Sequence, residues 1–175
     1  MPFWKNFFTH LGTNTDNDVL SNNKNILIKT INYNDIFLDI YASQDRKINL
    51  QEIENLFISV GWIKRPSKRA KVALNNSFLV ITLLYTKANH KHIIGFARAT
   101  SDHAFNATIW DVVIHPSFQG YGLGKLLLSY LIDELRKADI STITLFADSN
   151  VIDFYKNLGF VIDPDNTKGM FWYPQ

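Results

Sequence analysis

The stretch Trp110 to Ala138, WDVVIHPSFQGYGLGKLLLSYLIDELRKA, constrains this chain more than any other. Its β-branched run Val112, Val113, Ile114 reads as a strand, Pro116 breaks it, and the loop Gln119-Gly120-Tyr121-Gly122-Leu123-Gly124-Lys125 follows. Leu127, Leu131 and Leu135 then recur at helical spacing, and Leu128 and Ile132 widen the stripe, so a helix with one buried face is expected. A strand, a glycine loop and a helix start form a device for holding phosphate. The first-turn N–H groups have no intrahelical partner, the helix dipole adds partial positive charge, and glycine lets a ligand approach the backbone.

Two common phosphate patterns are excluded. A Walker A loop would need its leading glycine where Gln119 stands and its hydroxyl where Leu126 stands. A Rossmann G-x-G-x-x-G counted from Gly120 ends on Lys125. What fits is Q-x-x-G-x-G, at Gln119, Gly122 and Gly124, directly after V-x-H-P. This resembles the acetyl-coenzyme A pyrophosphate loop of the GCN5-related N-acetyltransferases, the GNAT superfamily. The segment Asn150 to Phe160, NVIDFYKNLGF, resembles the second motif of that superfamily, and it lies one helix and one strand further on. The blocks ATSDHAFNATIWDVVIHPSFQGYGLGK, ITLFADSNVIDFYKNLGF and KGMFWYP are similar to the plastid and cyanobacterial branch, whose plant members acetylate serotonin and protein amines.

Composition limits the alternatives. At 175 residues and 46% hydrophobic, one domain with a sizeable core is expected. A formal charge of +2 gives no argument for nucleic acid, and no apolar run approaches the roughly 20 residues of a membrane span. The absence of cysteine excludes disulfides, thiolate metal sites and a cysteine acyl-enzyme. No His, Asp and Glu group has ligand spacing, so no metal is expected.

Taken in order, residues 1–25 read as an aromatic flap, MPFWKNFFTHLG, followed by a polar linker, and 26–175 as the domain. Strands are expected at 26–31 and 36–41, then a helix capped by Asn49 with Glu52 as its capping-box partner and stopped by Gly61. Lys64-Arg65-Pro66-Ser67-Lys68-Arg69-Ala70-Lys71 is the densest positive charge, with Ser67 capping a second helix. That cluster is a solvated face, or it attracts an acidic acceptor or the coenzyme's 3′-phosphate; the sequence leaves these open. A hairpin follows at 77–85 and 92–99, then strands at 107–114 and 142–147, a helix at 151–158, and short strands at 160–162 and 170–173. Strands and helices alternate with hairpins, so the expected fold is mixed α/β. The resemblance refines it to a single domain whose mostly antiparallel sheet is splayed at the centre, with flanking helices.

The resemblance implies acetyl-coenzyme A as cosubstrate, a primary amine as acceptor, and direct attack in a ternary complex. The amine would be an arylalkylamine such as serotonin, a protein N-terminus or a lysine. Gln119, Gly120, Tyr121, Gly122, Leu123, Gly124 and Lys125 would hold pyrophosphate. Val112, Val113 and Ile114 would pair with pantetheine as an added strand, and the Val113 amide would face the thioester oxygen. Ser149 and Asn150 would bind pantetheine at the next helix start, or simply cap that helix.

Tyr155 is the expected acid for the departing thiolate, against a plain core tyrosine. Asp111, on the central strand, and Asp148, at the end of its parallel neighbour, are the candidate bases, with structural roles as the alternative. His103 and His115 are weaker candidates. Trp62, Phe105, Phe171 and Trp172 could frame the acceptor or belong to the core. A coenzyme-binding module without turnover is the competing class. A monomer or homodimer in the plastid stroma, or in the cytoplasm of a cyanobacterium-like cell, completes the expectation.

Overall fold

The structure is a computed structural model that describes residues 25–173. The flap and most of the linker expected over residues 1–25 lie outside the described residues. The chain divides into two units, whose described parts are residues 25–146 and 147–173.

The larger unit is a six-stranded sheet in sequential order: β1 (Ile26–Tyr33), β2 (Ile36–Ser43), β3 (Leu79–Lys87), β4 (His90–Ser101), β5 (Asn106–Ile114) and β6 (Thr142–Leu145). All neighbours are antiparallel except β5 and β6, which run parallel. The hairpins β1–β2 and β3–β4 turn on Asn34-Asp35 and Ala88-Asn89. All four of these residues have positive φ, as the tight turns that match strand twist require.

Two helices cover one face, α1 (Leu50–Ser59) and α2 (Ser67–Asn75). Asn49 caps α1 by accepting the Gln51 amide. The expected Ser67 cap is corrected: Pro66 holds the cap position, Ser67 is the first helical residue, and no side chain caps the helix. Ile53, Leu56 and Phe57 of α1 and Leu74 of α2 pack with Val80, Phe96 and Val113 of the sheet. The alternate strand residues Ile81, Leu83, Ala97, Ala99 and Ile109 are also buried and point the other way. That side takes α3 (Leu123–Lys137), whose Leu127, Leu128, Leu131 and Leu135 are fully buried. Burying each such leucine stabilises the fold by about 1.5–3 kcal/mol before chain entropy is counted. Arg136 and Lys137 complement the negative end of the α3 dipole.

Gly95 is needed by packing. A Cβ there would lie 2.8 Å from Ile114 Cδ1 and 3.1 Å from Leu83 Cβ.

In the smaller unit a 3₁₀ turn, Ser149–Val151, leads into the short helix α4 (Ile152–Lys156), and residues 163–166 form a tight turn with Asp163, Asp165 and Asn166 at positive φ. Four expected elements change from β6 onward. The strand expected over 142–147 stops at Leu145, and the helix expected over 151–158 is regular only over 152–156. The segments 160–162 and 170–173 form no strand. A short apolar run becomes a strand only where a neighbour supplies its ladder of hydrogen bonds.

Candidate active site

Strand β5 changes character halfway along. From Asn106 to Ile109 it pairs with β4 on one side and β6 on the other, the last parallel pair being Ile109 and Leu145. From Trp110 to Ile114 it keeps β4, as in the pairs Phe96–Val113 and Gly95–Ile114, but has no ladder to β6. Val112, Val113 and Ile114 therefore have one backbone edge free of sheet pairing with β6. An extended amide-bearing ligand can add to such an edge as a strand.

The same half carries a bulge. Between Phe96 and Arg98 the β4 register advances by two residues while β5 advances by three, from Val113 to Trp110. The extra residue falls at Asp111, which adopts φ +55. Left-handed backbone is uncommon outside glycine, though aspartate tolerates it better than most side chains. The bulge resets the alternation, so Trp110 pairs with Arg98 and Val113 with Phe96 on the α1–α2 face.

Asp111 is gripped by two guanidinium groups. Arg98 Nε donates to Oδ2 at 2.6 Å, and Arg65 donates through Nη1 to Oδ2 at 3.1 Å and through Nη2 to Oδ1 at 2.8 Å. The Asp111 side chain is 9% exposed, Arg98 14% and Arg65 45%. Burial pushes the Asp111 carboxyl upward, but the hydrogen bonds and charges of the two arginines outweigh it and hold it below the ordinary carboxylate value. Arg65 reaches Asp111 from the segment between α1 and α2, its guanidinium 5.3 Å from the Phe57 ring centre and 5.9 Å from that of Trp62. These groups border a cavity of about 250 Å³ between α1, α2 and the sheet, floored by Phe57, Leu74 and Phe96 and also lined by Glu54 and Lys64.

The loop after β5 is built as its glycines predict. His115 Nδ1 accepts the Ser117 amide, Pro116–Phe118 make a 3₁₀ turn, and Gln119 Nε2 donates back to the Ile114 carbonyl at 3.0 Å. Gly120 and Gly122 follow at φ +82 and +76, and Gly122 caps α3. The first backbone bond into the helix is Leu126 N–H to Gly122 C=O, so the Leu123, Gly124 and Lys125 amides precede it and lack helical partners. Lys29 on β1 adds a cation that the glycine pattern gives no hint of. Its Nζ donates to the Tyr121 carbonyl at 2.7 Å and lies 3.8 Å from where a Gly122 Cβ would stand.

In the smaller unit, Tyr155 is half-buried on α4, its ring edge-on to Phe154 and Phe160. Burial first, and then the negative charge of Asp148, push its phenol pKa up, so it stays protonated well beyond neutral pH. Asp148 precedes the 3₁₀ turn that contains Ser149 and Asn150, and Asn150 is exposed. The sequence singled out Asp111, Tyr155, Asp148 and the loop. It did not single out Arg98 or Lys29, which enter through strand pairing and long-range contact, and it flagged Arg65 only as part of a basic run.

This fold and site define the class. A family model for the acetyltransferase (GNAT) family matches residues 47–160. The chain belongs to that family, and it is an acetyltransferase of the GNAT type.

The uncharacterized N-acetyltransferase ycf52 of Pyropia yezoensis is 54% identical over 175 residues, covering all of both chains. The chloroplastic GCN5-related N-acetyltransferase 2 of Arabidopsis thaliana is 46% identical over 153 residues, covering 78% of this chain and 59% of its own. Among solved structures, the GNAT family acetyltransferase SP0256 from Streptococcus pneumoniae superposes with a TM-score of 0.63 at 20% identity, covering 78% of this chain and 98% of its own. Among the described residues no helix is long and apolar enough to cross a membrane, and no group of His, Asp and Glu could hold a metal ion.

Proposed function

We propose that the chain transfers acetyl from acetyl-coenzyme A to a primary amine by direct attack. The observation that carries this is the free half of β5, which runs straight into the glycine loop. One element thus offers an edge for the amide-bearing pantetheine arm and then a turn of unpartnered amides for the pyrophosphate.

Val112, Val113 and Ile114 would pair with pantetheine, and Gln119 to Lys125 would hold the phosphates with Lys29 beside them. A backbone amide on the free edge of this half of β5 would stabilise the oxyanion, an effect of about 2.7–4 kcal/mol per good donor. Ser149 and Asn150 would add hydrogen bonds to pantetheine. The amine nitrogen attacks the acetyl carbon, the carbon–sulfur bond breaks, and Tyr155 gives its proton to the departing thiolate. Its raised pKa keeps that proton available.

The acceptor's ammonium must give up a proton before its nitrogen can attack, and that proton needs a base. Asp111 is committed to Arg65 and Arg98 and held below the ordinary carboxylate range, which makes it a poor one. The exposed Asp148, directly or through water, is the better choice, and Asp111 acts by holding the two arginines. The acceptor lies in the arylalkylamine or protein-amine class, and the cavity beside the bulge receives it. The chloroplastic relatives support a plastid stromal location.

The test is to follow free thiol while the protein is incubated with acetyl-coenzyme A and a panel of amines. Amine-dependent thiol release is expected. Tight coenzyme binding without release from any amine would favour a binding module instead.

A further inference from the structure

The cavity between α1, α2 and the sheet has an unusual charge balance for a site that receives an amine. Three cations, Lys64, Arg65 and Arg98, line it against two carboxylates, Glu54 and Asp111. Both carboxylates are already engaged. Glu54 pairs with Lys64 at 3.2 Å, and each Asp111 oxygen accepts from a guanidinium. No carboxylate of the lining is left over to attract an ammonium group, and the surplus charge is positive. Each guanidinium carries five N–H donors. Arg65 spends two on Asp111, and Arg98 spends one there and one on Ser77, so donors remain on both.

The floor of the cavity is apolar: Phe57, Leu74 and Phe96 are buried beneath the charged rim.

We infer that the acceptor is a small amine whose apolar or aromatic body ends in an anionic group, a carboxylate or a phosphate, and that Arg65 and Arg98 recognise that group. This rests on the acetyl-transfer reading for its chemistry but not for its binding. Arg98 is the fixed partner, on a strand and mostly buried. Arg65 is the adaptable one, half-exposed in the segment between helices and stacked near Phe57 and Trp62. The size of the cavity, below the usual range for drug-sized ligands, suits a compact amine rather than a folded protein surface.

The probes are 4-(2-aminoethyl)benzoate and its neutral isostere 4-(2-aminoethyl)benzamide. Their binding to the full chain with coenzyme A present is measured by calorimetry, and thiol release is measured separately with acetyl-coenzyme A. The benzoate should bind at least about ten-fold more tightly than the amide, and Arg65→Gln should lower that ratio several-fold, with Arg98 keeping the rest. Equal binding of the two probes, or an intact preference in Arg65→Gln, would overturn the inference. Tighter binding of a peptide with an acidic second residue than of the benzoate would overturn its small-molecule part.

Coenzyme A and its 3′-dephospho form, titrated against the same variant, close the remaining route. The preference for the 3′-phosphate should be unchanged in Arg65→Gln, and its loss would assign the arginine to the coenzyme and overturn the acceptor role. Probe discrimination without thiol release upholds the anionic-acceptor site and counts against acetyl transfer. Thiol release without discrimination does the reverse.

Discussion

The loop 119–125 and the Arg65–Asp111–Arg98 cluster flank the same half of β5 but are made in opposite ways. The loop is one contiguous run whose working parts are main-chain amides, placed by two left-handed glycines and a helix start. The cluster takes its working parts from side chains on three segments. Arg98 lies 13 residues from Asp111 and Arg65 lies 46, and only a one-residue bulge brings all three to one face. A backbone cradle tolerates most side-chain changes but fails when a glycine is lost. A side-chain cluster keeps its backbone but fails when one charge is removed.

The largest test of that difference is Gly122→Asp. Aspartate tolerates positive φ, and Lys29 stands close enough to pair with it, so the fold should survive. The new carboxylate would meet the pyrophosphate, and coenzyme affinity measured by calorimetry should fall by about 100-fold or more, roughly 2.7 kcal/mol. Retained affinity would break the comparison at its backbone end.

Tyr155→Phe should come next, lowering kcat by about 10²-fold with coenzyme affinity nearly unchanged. This separates chemistry from both binding regions, and an unaltered single-turnover rate would remove Tyr155 from its role.

At the side-chain end, Asp111→Asn leaves Arg98 mostly buried without its counter-charge. Urea unfolding should show a loss of about 1–3 kcal/mol at neutral pH. Because folding lowers the Asp111 pKa, its contribution is present above the unfolded value and lost as pH falls through the folded one. The gap between wild type and variant should therefore narrow in acid, and a gap that stays constant down to acid unfolding would contradict the ion-pair account.

The smallest effect belongs to Lys29→Ala. An exposed cation beside the loop contributes about 0.2–1 kcal/mol, so coenzyme affinity should drop only a few-fold, and less at high salt. A drop as large as that of Gly122→Asp would show that side-chain charge rather than backbone dominates the loop.

Much of the fold was legible along the chain. The hairpins, α1 and its Asn49 cap, the central strand, the glycine loop and the leucine stripe of α3 all lie where local pattern placed them. The misses share a cause. Ser67 looked like a cap because of its chemistry, yet the chain geometry gave that position to Pro66. The runs at 160–162 and 170–173 have strand-like composition but no ladder. Residues 110–114 read as ordinary strand, with no sign that one of them would be a bulge at positive φ.

The sequence by itself determined the glycine turn at the start of α3, because a turn made of consecutive amides depends on residues a few positions apart and on glycine's freedom to take positive φ. Only the tertiary structure decided what Asp111 does. Its proton affinity is set by two guanidinium groups that approach from β4 and from the segment after α1. Coulomb energy depends on distance in space, which spacing along the chain does not specify.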